Sequence, residues 1–237
     1  MKRMLLLSNS RMPGRGYLEH ALEAIAATLG GARRLVLIPY ASVTTDWDSV
    51  AKAVRMALQP VLREGATVSS IHHAKRPVEA LREAEAVLVN GGNTFHLLHH
   101  LRRKALIVPL RMAILAGLPY VGWSAGANIC APSIRTTNDM PIIDPGGFDA
   151  LGVIDFQINP HYTNAVPEGW MGETRDQRLG EFLHLHPGIP VIGLPEGDWL
   201  EVLGDSLTVR GSFPARWFRA GAPTKLLEPG SPVPAAG

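Results

Sequence analysis

The chain contains 237 residues, a length that one α/β domain reaches and that can bury a core without disulfides or structural metals. Hydrophobic residues make up 46% and charged residues 19% of the composition, which excludes a disordered or fibrous protein. The net charge of +2 is too balanced to indicate binding to nucleic acid or to an anionic membrane surface. The single cysteine, Cys130, excludes an internal disulfide and a cysteine-rich zinc cluster, as is typical of a reducing cytosol.

The N-terminus begins like a signal peptide but lacks the apolar length of one. Lys2 and Arg3 precede an apolar run that covers only residues 4–7. The apolar region of a signal peptide needs roughly 7–15 residues, and a membrane-spanning helix needs about 20. We therefore interpret this run as a first buried strand and predict a cytoplasmic protein without a membrane span.

Short apolar runs alternate with longer amphipathic segments through the first half of the chain. The predicted strands comprise residues 4–8, 34–39, 66–71, 86–90 and 120–123. The predicted helices comprise residues 16–29, 47–63, 77–84, 94–101 and 107–116. Strands that are apolar throughout, rather than at alternate positions, indicate burial on both faces. This half predicts an α/β fold with a doubly wound, mostly parallel sheet and helices on both faces.

The second half of the chain is less regular. Residues 142–156 are rich in Gly, Pro and Asp and predict a loop with short strands. A helix, a strand and a hairpin are predicted over residues 176–185, 191–194 and 200–209. No low-complexity linker or repeat divides the chain, so we predict one domain over residues 1–226. The turn-forming composition of residues 227–237 predicts a poorly ordered tail.

The sharpest catalytic motif, GWSAG at residues 122–126, lies directly after the fifth predicted strand. It matches the G-x-S-x-G pattern, in which a serine stands on a tight strand-to-helix turn. Its glycines let the backbone fold back, so that the Ser124 hydroxyl projects at the carboxyl end of the sheet. The N–H of Ala125 would then point at a developing oxyanion. The alternative is a glycine-rich turn whose serine only caps a helix.

A catalytic serine needs a base, and nine histidines are available. Several of them lie at the end of a predicted strand or on a predicted helix: His72, His73, His96, His99 and His100. None stands in HExxH spacing, so the sequence predicts no zinc site. His161 follows a predicted strand and the turn at Pro160, where catalytic residues of such folds gather. This context favours His161 modestly over the other histidines.

Two carboxylates are candidates for the acid that orients the base. Asp139 lies in a polar loop, TTNDMP, beyond the predicted nucleophile, and Glu196 follows an apolar strand in GLPEG. Either residue could instead be an ordinary turn residue. The residues alone do not choose between the two.

A second glycine-rich turn, NGGN at residues 90–93, follows the fourth predicted strand. Its glycines allow a close backbone approach, so an N–H there could complete an oxyanion hole. The turn could also be only a helix start capped by Asn93. No GxGxxG or GxxxxGK[ST] pattern is present, which argues against binding of dinucleotides and of P-loop nucleotides.

Six segments considered together resemble the S51 serine peptidase family. They are VNGGNTFHLL, GWSAGAN, RTTNDMPI, QINPHYTN, PEGWMGETRDQR and VIGLPEGDW, and the resemblance covers about residues 1–219 in the same order. It implies a fold similar to class I glutamine amidotransferases and no cofactor. It also implies a cytosolic exopeptidase that cleaves Asp-X dipeptides with aspartate at the N-terminus.

The resemblance also implies roles for particular residues. Ser124 would be the nucleophile and His161 the general base, with Glu196 as the third member of the triad. Asp139, in the TTNDMP motif, is the other acid proposed for this family. The backbone N–H groups of Gly92 and Ala125 would form the oxyanion hole.

Specificity for aspartate requires a cation, because a carboxylate that enters a desolvated pocket unpaired binds poorly. Arginine suits this purpose, because its planar guanidinium holds a carboxylate through two hydrogen bonds. We predict that Arg175 supplies it, with Arg135 in reserve, and that Asp139 grips the substrate's α-ammonium group. The alternative for Arg175 is a solvated helix arginine. The sequence leaves open whether the protein is a monomer or a homodimer.

Three alternatives to an aspartyl dipeptidase can be tested against the site. A cyanophycinase of the same family would need an acidic pocket for the guanidinium of its β-aspartyl-arginine substrate. An α/β-hydrolase-type esterase would place its histidine last in the triad order, whereas Glu196 and much of the chain follow His161. A small-molecule sensor on an amidotransferase-like fold would lack catalysis.

Overall fold

The computed structural model describes residues 1–169 and 171–236. Its strands, in chain order, are β1 (Arg3–Leu7), β2 (Arg34–Ile38), β3 (Thr67–Ser70), β4 (Ala86–Val89), β5 (Tyr120–Trp123), β6 (Gln157–Asn159), β7 (Val191–Gly193), β8 (Trp199–Leu203), β9 (Ser206–Arg210), β10 (Ala215–Phe218) and β11 (Lys225–Leu227). Its helices are α1 (Leu22–Leu29), α2 (Trp47–Leu58), α3 (Pro77–Glu83), α4 (Thr94–Arg103), α5 (Ile107–Leu115), α6 (Ala125–Asn128) and α7 (Arg175–Leu185).

Seven strands form a large sheet in the order β3-β2-β4-β5-β1-β8-β9. The five strands from β3 to β1 are parallel, and the β8–β9 hairpin adds antiparallel strands at one edge. Alternate side chains of β1 point to opposite faces: Leu5 and Leu7 pack with α1 and α2, whereas Met4 and Leu6 pack in the core that contains α4 and α5. Both faces are therefore covered by helices, which confirms the predicted doubly wound α/β fold.

A second, smaller sheet has the order β11-β10-β7-β6. Its strands β6 and β7 are parallel, with Gln157 opposite Val191 and Asn159 opposite Gly193. Strands β10 and β11 were not predicted, because they are short and lack a regular alternation of apolar and polar residues. One apolar core contains side chains of both sheets, Leu6 and Trp217 among them. This shared core supports the single domain over residues 1–226, which stays a prediction.

Two predicted helices differ from the observed ones at their ends, for backbone reasons. The helix predicted from residue 16 begins at Leu22, after a 3-10 turn at Glu19–Ala21, because Leu18 adopts a left-handed conformation with φ of 61°. The helix predicted to residue 63 ends at Leu58, and a 3-10 turn that contains Pro60 follows. Proline has no N–H for the helical hydrogen bond, so it ends the regular helix.

The C-terminal segment differs from the predicted disordered tail. The N–H of Gly230 donates to the carbonyl of Val209 at 2.7 Å, the N–H of Val209 to Ser231 at 3.0 Å, and the N–H of Val233 to Leu207 at 2.9 Å. Edge strand β9 would otherwise expose these polar groups on its free side, and the segment satisfies them. These backbone hydrogen bonds order the segment despite its turn-forming composition.

Among residues 1–169 and 171–236, no helix is long and apolar enough to span a membrane.

Candidate active site

The predicted nucleophile stands on a strained turn between β5 and α6. Ser124 has φ of 53° and ψ of −111°, a conformation that L-residues rarely adopt. A Cβ atom on Gly122 would lie 2.2 Å from the carbonyl oxygen of Gly126, and one on Gly126 would lie 2.2 Å from that of Val89. Both glycines are therefore required by close backbone contacts, which is the physical basis of the GWSAG motif.

The predicted base and acid come from the small sheet. His161 and Glu196 follow the parallel strands β6 and β7, whose carboxyl ends lie side by side. His161 Nε2 lies 2.9 Å from Ser124 Oγ, and His161 Nδ1 lies 2.7 Å from Glu196 Oε1. The serine, imidazole and carboxylate thus form the continuous hydrogen-bonded chain that nucleophilic catalysis requires.

The other candidate acid lies in a different set of contacts. Asp139 Oδ2 accepts hydrogen bonds from the N–H of Thr94 at 2.7 Å, from Thr94 Oγ1 at 2.6 Å and from Thr137 Oγ1 at 2.9 Å. These contacts place its charge at the N-terminus of α4, where a negative charge is stabilised by the helix dipole. Among the described residues, Asp139 makes no hydrogen bond with His161. The geometry thus favours Glu196 over Asp139 as the triad acid.

The two predicted oxyanion donors are available for hydrogen bonding. Within residues 1–169 and 171–236, neither the N–H of Gly92 nor that of Ala125 donates to another group. A Cβ on neighbouring Gly91 would lie 3.1 Å from the Cβ of Ser124, so this turn approaches the nucleophile closely. Gly92 has φ of 144°, and a Cβ there would lie 2.2 Å from the carbonyl oxygen of Ala41. Only glycine at position 92 lets the backbone of this turn pass so close to Ala41.

Two residues that sequence reasoning missed connect the base and the acid to β1. The hydroxyl of Ser8 donates to the carbonyl of Leu194 at 2.8 Å and accepts from the N–H of His161 at 2.8 Å. Asn9 Oδ1 accepts from the N–H of Gly197 at 2.8 Å. Both residues are buried, so the loops that carry His161 and Glu196 are fixed by hydrogen bonds from the protein interior. The sequence signal that could have identified them is their position as polar residues directly after the first apolar strand.

Arg175 lies at the N-terminus of α7 and is half-buried. Its guanidinium donates to Asn138 Oδ1 and, at 3.3 Å, to Asn159 Oδ1. Asn138 also donates to the carbonyl of Pro160, the residue before His161, at 2.7 Å. Within the described ranges no carboxylate pairs with Arg175, and burial lowers its pKa. In the described part of the chain, this partly desolvated cation is therefore held by neutral amide oxygens, one of which belongs to Asn159, two residues before His161.

Arg135 lies elsewhere, exposed to solvent. Its guanidinium carbon lies 4.5 Å from the ring centre of Phe148. Both residues line a cavity of about 370 Å³ that Asp139 also borders. Arg135 makes no contact with the triad among the described residues, so Arg175 is the better placed of the two candidate cations.

A buried carboxylate lies just beyond the acid loop. Asp198 is fully buried, and its Oδ1 accepts from the N–H groups of Ser212 at 2.7 Å and Phe213 at 3.2 Å. Its Oδ2 has no hydrogen-bond partner in the described part of the chain. Burial raises the pKa of Asp198 to about 6, despite the two hydrogen bonds that lower it.

Comparison with known proteins identifies the family. Residues 4–210 match the model of peptidase family S51. The chain is 49% identical to peptidase E of Citrobacter koseri over 227 residues, which cover 96% of this chain and 98% of that protein. It is 48% identical to peptidase E of Salmonella arizonae, over the same shares of the two chains. The chain belongs to peptidase family S51.

Solved structures agree with the fold of this S51 chain. A crystal structure of a Listeria monocytogenes EGD-e protein described as a peptidase E protein has a TM-score of 0.67 at 24% identity, covering 89% of this chain and 98% of that one. A peptidase from an acI-B1 Actinobacterium has a TM-score of 0.71 at 17% identity, covering 98% and 96%. At these identities the likeness concerns the fold. The family assignment itself confirms the predicted serine-type peptidase.

Proposed function

We propose that this S51 peptidase is a dipeptidase that hydrolyses Asp-X dipeptides with aspartate as the N-terminal residue. The observation that carries the proposal is the half-buried guanidinium of Arg175, which lacks a carboxylate partner among the described residues. A substrate side-chain carboxylate would supply the missing negative charge through two parallel hydrogen bonds. A cation at this position opposes a cyanophycinase, whose arginine-containing substrate needs an acidic pocket.

The proposed reaction proceeds through an acyl-enzyme. Ser124 Oγ attacks the carbonyl carbon of the aspartyl residue while His161 Nε2 takes the hydroxyl proton. Glu196 accepts a hydrogen bond from Nδ1–H, which fixes the tautomer and stabilises the imidazolium. His161 then donates its proton to the leaving amine, and the C–N bond breaks. Water hydrolyses the resulting ester by the same proton transfers in reverse.

Two backbone donors would stabilise the negative oxygen of the tetrahedral intermediate. The N–H groups of Gly92 and Ala125 flank the nucleophile and are free of other hydrogen bonds in the described ranges. Each donor of this kind contributes about 3 kcal/mol to the transition state in other acyl-transfer enzymes.

An exopeptidase must also recognise the substrate's α-ammonium group, and we assign this task to Asp139. Its Oδ2 is occupied by donors from Thr94 and Thr137, whereas its Oδ1 accepts no hydrogen bond from a described residue. A half-buried carboxylate with one open oxygen suits a charge-assisted hydrogen bond to an ammonium group.

The setting of the enzyme forms part of the proposal. We place it in the cytoplasm, as a monomer or homodimer, acting on small substrates without a nucleic-acid partner. The balanced charge and the single, buried cysteine support this assignment.

Release of p-nitroaniline tests the proposed specificity. Asp-p-nitroanilide should be hydrolysed much faster than Leu-p-nitroanilide, because only the aspartyl side chain can pair with Arg175. Glu-p-nitroanilide should also be a poor substrate, since its longer side chain displaces the carboxylate from the guanidinium. Equal rates on all three substrates would reject the aspartate preference while leaving serine peptidase chemistry intact.

A further inference from the structure

Three side chains at the edge of the large sheet converge on one point. Asp48 lies in the first turn of α2, and His72 and His73 lie in the 3-10 turn that follows β3. One ligand atom from each of the three residues lies within 4.8 Å of the other two. Residues from two separate segments thus present two imidazoles and a carboxylate, the donor set that Zn²⁺ binds in many proteins.

Two of the distances between donor atoms can be compared with those of a tetrahedral metal site. Asp48 Oδ1 lies 3.3 Å from His72 Nε2 and 2.6 Å from His73 Nε2. Ligands at 2.0–2.1 Å from a tetrahedral zinc ion lie about 3.3 Å apart. The contact with His73 therefore needs to open by about 0.7 Å. The side chains of His73 and Asp48 are 64% and 67% exposed, so both are free to move.

His72 is held in an orientation suited to metal binding. Its Nδ1 lies 2.6 Å from the hydroxyl of Ser70, so its Nε2 faces Asp48. Metal-binding histidines commonly use the second ring nitrogen in such a contact, which fixes the tautomer and the ring position. The ring also packs against Trp47, with 5.5 Å between ring centres.

We propose that Asp48, His72 and His73 form a binding site for a divalent transition-metal ion, with Zn²⁺ as the best match, separate from the active site. The donor set of imidazole and carboxylate excludes a preference for Ca²⁺ or Mg²⁺, which bind oxygen ligands. Three protein ligands leave a fourth position for water. The bound ion would join the start of α2 to the turn after β3.

The proposed metal site lies well away from the triad. Strands β2 and β4 separate β3 from β5, after which Ser124 lies. With roughly 4.8 Å between neighbouring strands, the ends of β3 and β5 are about 14 Å apart along the sheet edge. We therefore expect the ion to stabilise the folded chain without taking part in hydrolysis.

Metal binding to the full-length, untagged chain tests this proposal. Zn²⁺ is titrated in competition with a chromophoric chelator, and the melting temperature is measured with and without the ion. Asp48→Asn and His73→Gln remove one exposed ligand each, so the fold should survive in both variants. His184→Gln, which changes an exposed histidine on α7, is the matched control.

The unchanged chain and the control should bind one Zn²⁺ ion and melt at a higher temperature in its presence, as linkage requires. Each ligand variant should bind Zn²⁺ at least about tenfold more weakly, since even changes behind the ligands cost that much. It should also lose the rise in melting temperature. Binding that both variants retain at full affinity would overturn the proposal. So would loss of binding in His100→Gln alone, because it would place the ion at the His96–His100 pair.

Discussion

Ser124 combines a strained backbone with a fully assembled hydrogen-bond chain. A residue in such a conformation costs about 1–3 kcal/mol and persists only where its surroundings enforce it. Here the contacts at Gly122 and Gly126 leave the turn no room to relax. The strain presents Oγ to His161 Nε2 at 2.9 Å, the distance that proton transfer needs.

Ser124→Ala should abolish nearly all hydrolysis of Asp-p-nitroanilide while the fold remains. Alanine keeps the Cβ and the backbone conformation, so the melting temperature should stay within a few degrees. Activity assays and thermal melts of the purified variant check both expectations. Substantial turnover by this variant would exclude Ser124 as the nucleophile.

Glu196→Gln and Asp139→Asn separate the two candidate acids. The first change should lower kcat by orders of magnitude, because an amide cannot stabilise the imidazolium of His161. The second should chiefly raise KM, because it weakens the grip on the substrate's α-ammonium group. Steady-state kinetics on Asp-p-nitroanilide measure both constants. The reverse pattern would exchange the two roles.

Arg175→Ala should lower kcat/KM for Asp-p-nitroanilide by at least about thirtyfold, because loss of a buried charge partner typically costs about 2–5 kcal/mol. The ratio of kcat/KM for Asp-p-nitroanilide to that for the Asn or Leu substrate should decrease. Arg178→Ala is the matched control, since Arg178 is exposed on the same helix and lies 3.7 Å from Glu173. An unchanged preference in Arg175→Ala would direct the search to Arg135.

At the scale of elements, the end of β1 determines how precisely the triad is held. The hydroxyl of Ser8 bridges the turn that carries His161 and the end of β7 that leads to Glu196. His161 has φ of 52°, so its backbone needs such support. The N–H of Ser124 also donates to the carbonyl of Leu7 at 3.0 Å. All three triad loops are therefore connected to one strand.

Ser8→Ala should lower kcat by about tenfold or more with little change in KM, because small displacements of catalytic groups are costly. Ser8→Thr, which keeps the hydroxyl, should recover part of the rate. The pH profile of kcat should shift in Ser8→Ala, because the imidazole moves relative to Glu196. Ser206→Ala, at the exposed start of β9, should leave kcat unchanged. Equal kcat in Ser8→Ala and this control would refute a positioning role.

At the scale of the whole molecule, one buried carboxylate opposes folding at neutral pH. The pKa of Asp198 is about 6 in the folded state, above its ordinary value of 3.8. Between these two values the folded state binds more protons than the unfolded state. The contribution of Asp198 to stability is therefore most favourable below about pH 4. It declines as the pH rises to about 6 and is constant above that.

Asp198→Asn should accordingly stabilise the protein at pH 7 by on the order of 2 kcal/mol. The amide keeps the acceptor that Ser212 and Phe213 use, and it carries no charge to desolvate. The difference in melting temperature between the variant and the unchanged chain should grow from pH 4 to pH 7. Asp205→Asn, at an exposed turn carboxylate, provides the control. A difference in melting temperature that stays the same from pH 4 to pH 7 would refute the raised pKa of Asp198.

Local sequence determined the parallel sheet and the candidate nucleophile. Runs such as Leu5–Leu7 are buried on both faces, and the GWSAG glycines are required by contacts within a few residues or with the adjacent strand. Such features leave a pattern because the residues that create them are close in the chain. The length and specificity of the motifs also made the S51 family recognisable, and the comparisons confirm the family.

Only the tertiary structure decided which candidate acid meets the candidate base. His161 and Glu196 are 35 residues apart, and they meet because β6 and β7, each three residues long, pair in parallel. Strands this short carry no periodicity that would specify their partner. The same holds for Ser8, which lies 153 residues from His161. Hydrogen bonds between such distant segments depend on how the two sheets pack. That packing cannot be predicted from a local pattern of residues.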